Sequence, residues 1–553
     1  MNYKKRFVSV LIAIVAIGLL VSCGGGKSGS SSSSSSSSSA AAVQVSADTV
    51  ANLAVSTENV EATSVLTDQT INIGYGTTID SLTPFRSNTG RNSPYFVQLY
   101  ESLGVMNEEK EIVPYVAKSW DTEDNGFNYT ITIWDNVYDS AGNHITASDV
   151  VWFITEAKSR GLKPVFAKIA SVDVIDDYTL NIELTSNLVG TFETLLQDVY
   201  IVSEAAFKAS SDEFGAMNVS TSPYKVAAFV PSASLDLVRR DDYWQDIENL
   251  PECVRPLVKN VNYKIITEAF QLGVALETGT VDAVIDIASS TGAQFFGNTA
   301  YTVDLSDGPQ GWQVFFSGHE SSILANNVAL RQAICYAIDP NGLITAMTSG
   351  FGTQMWDVAS PRLLGFNEKW KDEPYYEYDL EKAKELIKES GYNGETLTLL
   401  STSSAFASRL AQLMQNYLRA AGINVELNSV DMALYTAMRL DGSKYDMTIN
   451  TIGGTSLADY WSIRFDPAAY STGDATSRKD YTLAELLYKT WTKSGWTEEN
   501  IDEVHYYLKD NAIAYGMVNP QVFTIWSTKL NMKKVVKGGI SGYVMLPSCQ
   551  FEK

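Results

Sequence analysis

Between Leu397 and Leu427 the chain reads as an apolar strand, an amphipathic helix and a second apolar strand. The three parts are Leu397-Thr398-Leu399-Leu400, Leu410 to Leu418, and Gly422-Ile423-Asn424-Val425-Glu426-Leu427. A connection long enough to hold a helix returns the chain to the starting end of the sheet, so the two strands pair in parallel and the helix covers one face. That commits the region to α/β layers. The same mixture recurs along the chain: period-two alternation predicts strands at Tyr129-Thr130-Ile131-Thr132-Ile133, Leu180-Asn181-Ile182-Glu183-Leu184 and Met447-Thr448-Ile449. Thr146-Ala147-Ser148-Asp149 predicts a capped helix start ahead of Val150, Val151 and Ile154. Asp379 is placed to cap a helix with the face Leu380, Ala383, Leu386 and Ile387, and Gly391 to end it. No repeat of solenoid or propeller period is present.

The N-terminus is of another kind. Lys4, Lys5 and Arg6 precede an apolar run from Phe7 to Leu20, the layout of a secretory signal, and the run is shorter than the roughly 20 residues that span a bilayer. It ends in Leu20-Val21-Ser22-Cys23-Gly24, which resembles a bacterial lipobox and implies cleavage after residue 22 with diacylglycerol on Cys23. Next come Gly24-Gly25-Gly26, serines from Ser30 to Ser39, and Ala40 to Ala42. Such a tract has no apolar surface to offset its ordering entropy and is expected to act as a tether. The expected bounds are a signal peptide over 1–22 and an acylated cysteine with tether over 23–69, since alternation of fold strength first appears at Ile71-Asn72-Ile73-Gly74-Tyr75.

About 480 residues follow, enough for two or three domains. The whole chain's hydrophobic share of 45% is that of a globular protein, and no second apolar run is long enough to span a membrane. A formal net charge of −23 argues against nucleic acid and against anionic lipid surfaces, leaving the anchor as the expected membrane contact. Besides Cys23, the cysteines are Cys253, Cys335 and Cys549, with no CxxC pair for zinc or redox work. Cys335 lies in the apolar helix pattern Leu330 to Ile338 and reads as a small buried hydrophobe; a Cys253–Cys549 disulfide stays open.

Catalytic signatures are missing. The three histidines are His144 in a turn, His319 beside Gly318, and His505 on an expected surface helix. No HExxH, GxSxG or Walker loop occurs, and Gly74-Tyr75-Gly76 and Gly350-Phe351-Gly352 lack the third glycine of a dinucleotide loop. The expectation is a protein that is not an enzyme and uses neither cofactor nor metal. Two carboxylates meeting in a cleft would suffice for a glycosidase, so a secreted cleft hydrolase is kept as a competing reading.

From Ile71 to Trp526 the motifs run in a familiar order. They are Ile73-Gly74-Tyr75 with Asp80-Ser81-Leu82-Thr83-Pro84, Tyr100-Glu101-Ser102-Leu103, Ile112-Val113-Pro114 to Ala117-Lys118-Ser119-Trp120, and Ile145-Thr146-Ala147-Ser148-Asp149-Val150-Val151. Then come Thr221-Ser222-Pro223-Tyr224-Lys225-Val226, Arg240-Asp241-Asp242-Tyr243-Trp244, Leu330-Arg331-Gln332-Ala333-Ile334 to Asp339-Pro340, and Tyr378-Asp379-Leu380-Glu381-Lys382-Ala383-Lys384. This order resembles the bacterial extracellular solute-binding protein family 5, the dipeptide- and oligopeptide-binding lipoproteins of ABC importers. The resemblance implies an α/β, type II periplasmic-binding-protein-like fold. Lobe I would take residues 70–312 with a subdomain over about 111–221, lobe II 313–519, and 520–553 would return to lobe I. It also implies a monomer that closes on solute by a hinge and delivers it to a permease and ATPase complex outside the cytoplasm.

In this family the pocket is built from the first strand's exit, the linkers and a lobe II loop. The corresponding residues are Tyr75, Thr77, Trp312, Trp356, Gly453, Thr455, Ser456, Leu457, Asp459 and Trp461. Ala458-Asp459-Tyr460 resembles the segment of oligopeptide binders whose aspartate pairs with the ligand's α-ammonium; a helix N-cap is the plainer role for Asp459. Gly453 and Gly454 allow the close backbone approach an extended peptide needs. The family also takes nickel, haem, opines and oligosaccharides, so an oligosaccharide binder and a ligand-sensing lipoprotein compete with peptide uptake.

Overall fold

The computed structural model describes residues 61–86, 93–122, 126–308, 311–373, 375–452, 456–467, 478–539 and 542–552. Cys23, Gly453, Gly454 and Thr455 lie outside the described residues. A twelve-stranded mixed sheet runs through the body. Its strands are β1 (Thr70–Tyr75), β2 (Tyr224–Val230), β3 (Ser234–Arg239), β4 (Asn260–Ile265), β5 (Ala283–Ile287) and β6 (Tyr301–Asp307). There follow β7 (Gly311–Phe316), β8 (Gly352–Gln354), β9 (Thr396–Thr402), β10 (Asn424–Val430), β11 (Met447–Ile452) and β12 (Ala514–Ser527). The order across the sheet is β10-β9-β11-β7-β12-β5-β1-β4-β3-β2, with β6 and β8 also paired to β12.

Two lobes share this sheet through β12. Its first half pairs with β7, from Phe315 opposite Ala514 to Trp312 opposite Val518. Its second half pairs with β5 from Phe523 to Trp526 and with β6 from Gln521 to Ser527. Between the halves, Asn519 and Pro520 face β8, and Gly308 donates to the Pro520 carbonyl at 3.0 Å. Proline breaks the ladder there because it has no N–H to give. Each lobe has its own apolar core, with Ile71, Ile73, Tyr263 and Ile285 in one and Val314, Leu399, Met414 and Trp461 in the other.

Local chemistry explains the elements. In β1, Ile71, Ile73 and Tyr75 are buried on the period of a strand. Gly74 lets the helix Ala269–Glu277 approach, since a Cβ there would meet Leu272 Cδ1 at 2.6 Å. The crossover between β9 and β10 is the parallel unit that its spacing predicts, with Leu397 opposite Val425 and Leu399 opposite Leu427. Its helix, Ala405–Ala421, buries Ala407, Leu410, Ala411, Met414 and Leu418 on one stripe and stops at Gly422, whose φ of 98° suits glycine. Each fully buried Leu or Met on that stripe contributes roughly 1.5–3 kcal/mol. Asp379 caps Leu380–Glu389 by accepting from the Lys382 N–H at 2.9 Å.

Inside lobe I lies a four-stranded antiparallel sheet of Ala117–Thr122, Asn128–Ile133, Thr179–Leu184 and Ile169–Asp176. The helix Ala147–Ser159 covers it and buries Val150, Phe153, Ile154 and Ala157. Asp149 accepts from the Thr146 N–H at 2.9 Å and so closes the helix start. The chain is attached to this lobe before β1 begins, because the Thr67 N–H donates to Leu257 O at 2.8 Å and Arg255 reaches Thr63 O at 3.1 Å.

One expectation is corrected and one open question is answered. His505 is 1% exposed, not on a surface: its Nδ1 lies 2.6 Å from Asp357 Oδ2 and its ring stacks on Trp370 at 3.9 Å. The helix Glu498–Asp510 has a buried face of Ile501, Val504 and Leu508, and His505 sits beside Val504 on that face. Cys253 and Cys549 are both buried free thiols, pushed up to about 12 by burial, so no disulfide joins them.

Candidate functional site

Strand directions place the site. β11 and β12 run the same way because each is antiparallel to β7, and β9 is parallel to β11. On the other side β5 is antiparallel to β12, and β1 is parallel to β5. The carboxyl ends of the lobe II strands and those of the lobe I strands therefore point at one another. Register fixes the meeting level: Ile452 ends opposite Gly311, Trp312 faces Val518, and Ile287 ends opposite Phe523. Both edges converge on Asn519-Pro520. In open α/β sheets the carboxyl edge is where ligands bind, because the strand ends and following turns leave a crevice there.

On lobe I this edge carries Tyr75 and Thr77. Tyr75 is buried edge-on between Tyr95, at 5.9 Å, and Tyr263, at 6.3 Å, and burial pushes its phenol up to about 12. Thr77 is exposed. On lobe II the edge carries Trp312, half-buried and stacked at 4.7 Å on Phe406 in the first turn after β9. Trp356 is also half-buried, with Lys371 Nζ 5.8 Å from its ring centre.

The loop into the helix Leu457–Phe465 behaves differently. Ser456 is the N-cap, accepting from the Asp459 N–H at 3.1 Å, so the plainer role expected for Asp459 falls to its neighbour. The Ser456 hydroxyl donates to Val189 O at 2.8 Å, and the Asp459 carboxylate pairs with Lys168 Nζ at 2.9 Å. Val189 and Lys168 belong to the antiparallel subdomain, so this loop is where that subdomain meets lobe II. Leu457 and Trp461, each 0% exposed, are buried in the lobe II core, where the inward face of the helix carries them, and offer no surface to a cleft.

Asp286 is a candidate site residue that sequence reasoning missed. It sits at the end of β5, where the register against β12 shifts between Ile285 and Ile287, and its φ is 58°. Such a bulge re-aims a side chain. Its surface is open to solvent, unlike its buried neighbours Ile285 and Ile287, yet desolvation alone pushes its carboxyl up to about 6. Water reaches the residue, while protein crowds the carboxyl. A cleft wall has both properties. The available signal was a lone acid in the apolar run Val284-Ile285-Asp286-Ile287. A separate apolar cavity lined by Tyr100, Met106, Tyr115 and Cys253 lies inside lobe I and includes none of these residues.

Residues 111–470 match the family described as bacterial extracellular solute-binding proteins, family 5 Middle. The chain belongs to this family. It is therefore a solute-binding component of an ABC importer, a class that works outside the cytoplasm with a permease and ATPase. It is 24% identical over 458 residues to the glutathione-binding protein GsiB of Pectobacterium atrosepticum, covering 77% of this chain and 86% of that one. The fold is similar to DppA of Helicobacter pylori in complex with the peptide STSA, at TM-score 0.67 and 21% identity, covering 88% of this chain and 98% of that one. It is also similar to NikA of Brucella suis in complex with Fe(III)-EDTA, at TM-score 0.74 and 18% identity, covering 88% and 100%. Among the described residues no helix is long and apolar enough to cross a membrane.

Proposed function

We propose that this protein captures a di- or oligopeptide, or a peptide-like solute, between its lobes and delivers it to the permease as a monomeric, lipid-anchored carrier that performs no chemistry on it. The observation that carries this reading is the convergence of the carboxyl edges of β1 and β5 with those of β9 and β11 on Asn519-Pro520. That geometry builds a crevice between two bodies joined by β12, where closure buries a solute and shifts an open population to a closed one. Related proteins named for glutathione and crystallised with a peptide support a peptide-like solute. The experiment is mass spectrometry of the solute carried through a gentle purification, followed by calorimetry with it. A peptide or peptide conjugate recovered unchanged is the expected result; a sugar, or a cleaved product, would overturn it.

A further inference from the structure

We propose that Asp286 is the anchor for a cationic group of the solute, a primary ammonium or a guanidinium, held at the lobe I wall of the cleft. This rests on the capture reading above and adds the chemical class that the cleft selects.

Position comes first. Asp286 is the penultimate residue of β5 on the carboxyl edge, beside the exit of β1: a Cβ on Gly76 would stand 3.8 Å from the Asp286 carbonyl oxygen, and Tyr75 is near enough to feel its charge. The bulge opposite Phe523 takes Asp286 out of the alternation that buries Ile285 and Ile287. A positive φ is unusual for any residue but glycine, and aspartate and asparagine tolerate it best. Asparagine would satisfy that backbone equally well without a charge. The backbone therefore does not explain the carboxylate.

Partnership comes second. Among the described residues no lysine, arginine or histidine pairs with Asp286 and no hydrogen bond to its carboxylate is formed; the one cause acting on it is desolvation. Asp459, the acid that the family resemblance points to, is already engaged by Lys168 at 2.9 Å. A carboxylate crowded by protein but left unpaired is held in a state that an incoming cation relieves, by a charge-assisted hydrogen bond. A neutral hydroxyl would relieve it less, which is why the site favours cations over sugars.

The test uses the mature protein with tri-alanine, its N-acetyl derivative, glutathione and maltotriose as probes, on wild type, Asp286→Asn and Asp459→Asn. In calorimetry tri-alanine should bind wild type at least about tenfold more tightly than its N-acetyl form, in line with a charge-assisted bond. Asp286→Asn should lose about the same factor for tri-alanine and be indifferent to acetylation, because either change removes the same pair. Asp459→Asn should keep the discrimination. Wild-type affinity for tri-alanine in Asp286→Asn would overturn the assignment, and discrimination lost only in Asp459→Asn would overturn it while leaving peptide capture standing. Selective binding of maltotriose, or no binding of either ammonium-bearing probe to wild type, would remove both readings. Asparagine's tolerance of positive φ makes the variant a folded control, checked by its melting temperature.

Discussion

Lys168 Nζ and Asp459 Oδ1 lie 2.9 Å apart and join the antiparallel subdomain of lobe I to the first turn of the lobe II helix Leu457–Phe465. Both side chains are about three-quarters or more buried, at 26% and 18% exposure. Beside them the Ser456 hydroxyl donates to Val189 O and the Val189 N–H donates to Trp491 O at 3.1 Å. The pair therefore belongs to a polar seam that holds the two bodies together at a distance from β12.

Breaking that seam should loosen the molecule without unfolding it. Lys168→Ala and Asp459→Asn are each expected to enlarge the radius of gyration of the solute-free protein in solution scattering. Their coupling in a double-mutant cycle should be about 1 kcal/mol, the upper range for a pair that water still reaches. Unchanged scattering in both variants would mean that the seam has no part in lobe closure.

A second variant tests the same seam by shape. Gly190 has φ 93°, and a Cβ there would fall 2.3 Å from Ser456 Oγ. Gly190→Ala adds backbone strain of order 1–3 kcal/mol and forces the Ser456 hydroxyl away from Val189. A lower melting temperature and a more open scattering profile are expected, and a close-packed profile like that of wild type would refute the contact.

Tryptophans separate stability from binding. Trp461 is 0% exposed in the lobe II core, so Trp461→Ala should destabilise by about 3–5 kcal/mol in denaturant titrations. Trp312, half-buried at the cleft edge on Phe406, should lose little stability on truncation but measurably lower the affinity for the carried solute. The opposite pattern would exchange their roles.

What could be read in advance follows from periodicity. The parallel unit around Leu397 to Leu427, the strands at Tyr129 and Leu180, and the caps at Asp379 and Thr146 all carry local signals, and these elements form as read. The site was less legible because its determinants are not local. Asp286 owes its exposure to a bulge against β12, some 240 residues away in sequence, and no window contains both partners. His505 looked like a surface residue because Glu498, Glu499, Asp502 and Glu503 surround it in sequence; its partner Asp357 comes from a distant loop. Ser456 was named for a pocket and caps a helix instead, a role that the Ser456-x-x-Asp459 spacing signals.

The anchor is tested apart from the fold. Cys23→Ala should leave a body with unchanged melting temperature that moves from the membrane to the soluble fraction, since stable anchoring takes more than one acyl chain. Full membrane retention of the variant would overturn the lipobox reading of Leu20 to Cys23.

Asp286 should also set a pH dependence. The phenol of Tyr75, which feels its charge, is pushed up to about 12 and so stays neutral throughout, while Phe523 and Thr524 opposite the bulge do not titrate. With its own carboxyl at about 6 in the empty protein, Asp286 is ionised at neutral pH and ready for an ammonium. As pH falls below about 6 a proton must leave before the pair forms, so the affinity for tri-alanine should drop by up to about tenfold per pH unit. The tripeptide's amino terminus stays charged below about pH 7.7, so it adds no slope of its own. Asp286→Asn should bind weakly and without slope from pH 5 to 7.5. Stability of the empty protein runs the other way. An acid whose folded value lies above its unfolded value near 4 penalises the folded state progressively as pH rises through that interval. Asp286→Asn should accordingly melt higher than wild type at pH 8 and match it near pH 3.5. Calorimetry and thermal scans at four pH values check both slopes, and a wild-type affinity that is flat from pH 5 to 7.5 would show that the Asp286 carboxylate does not meet the solute.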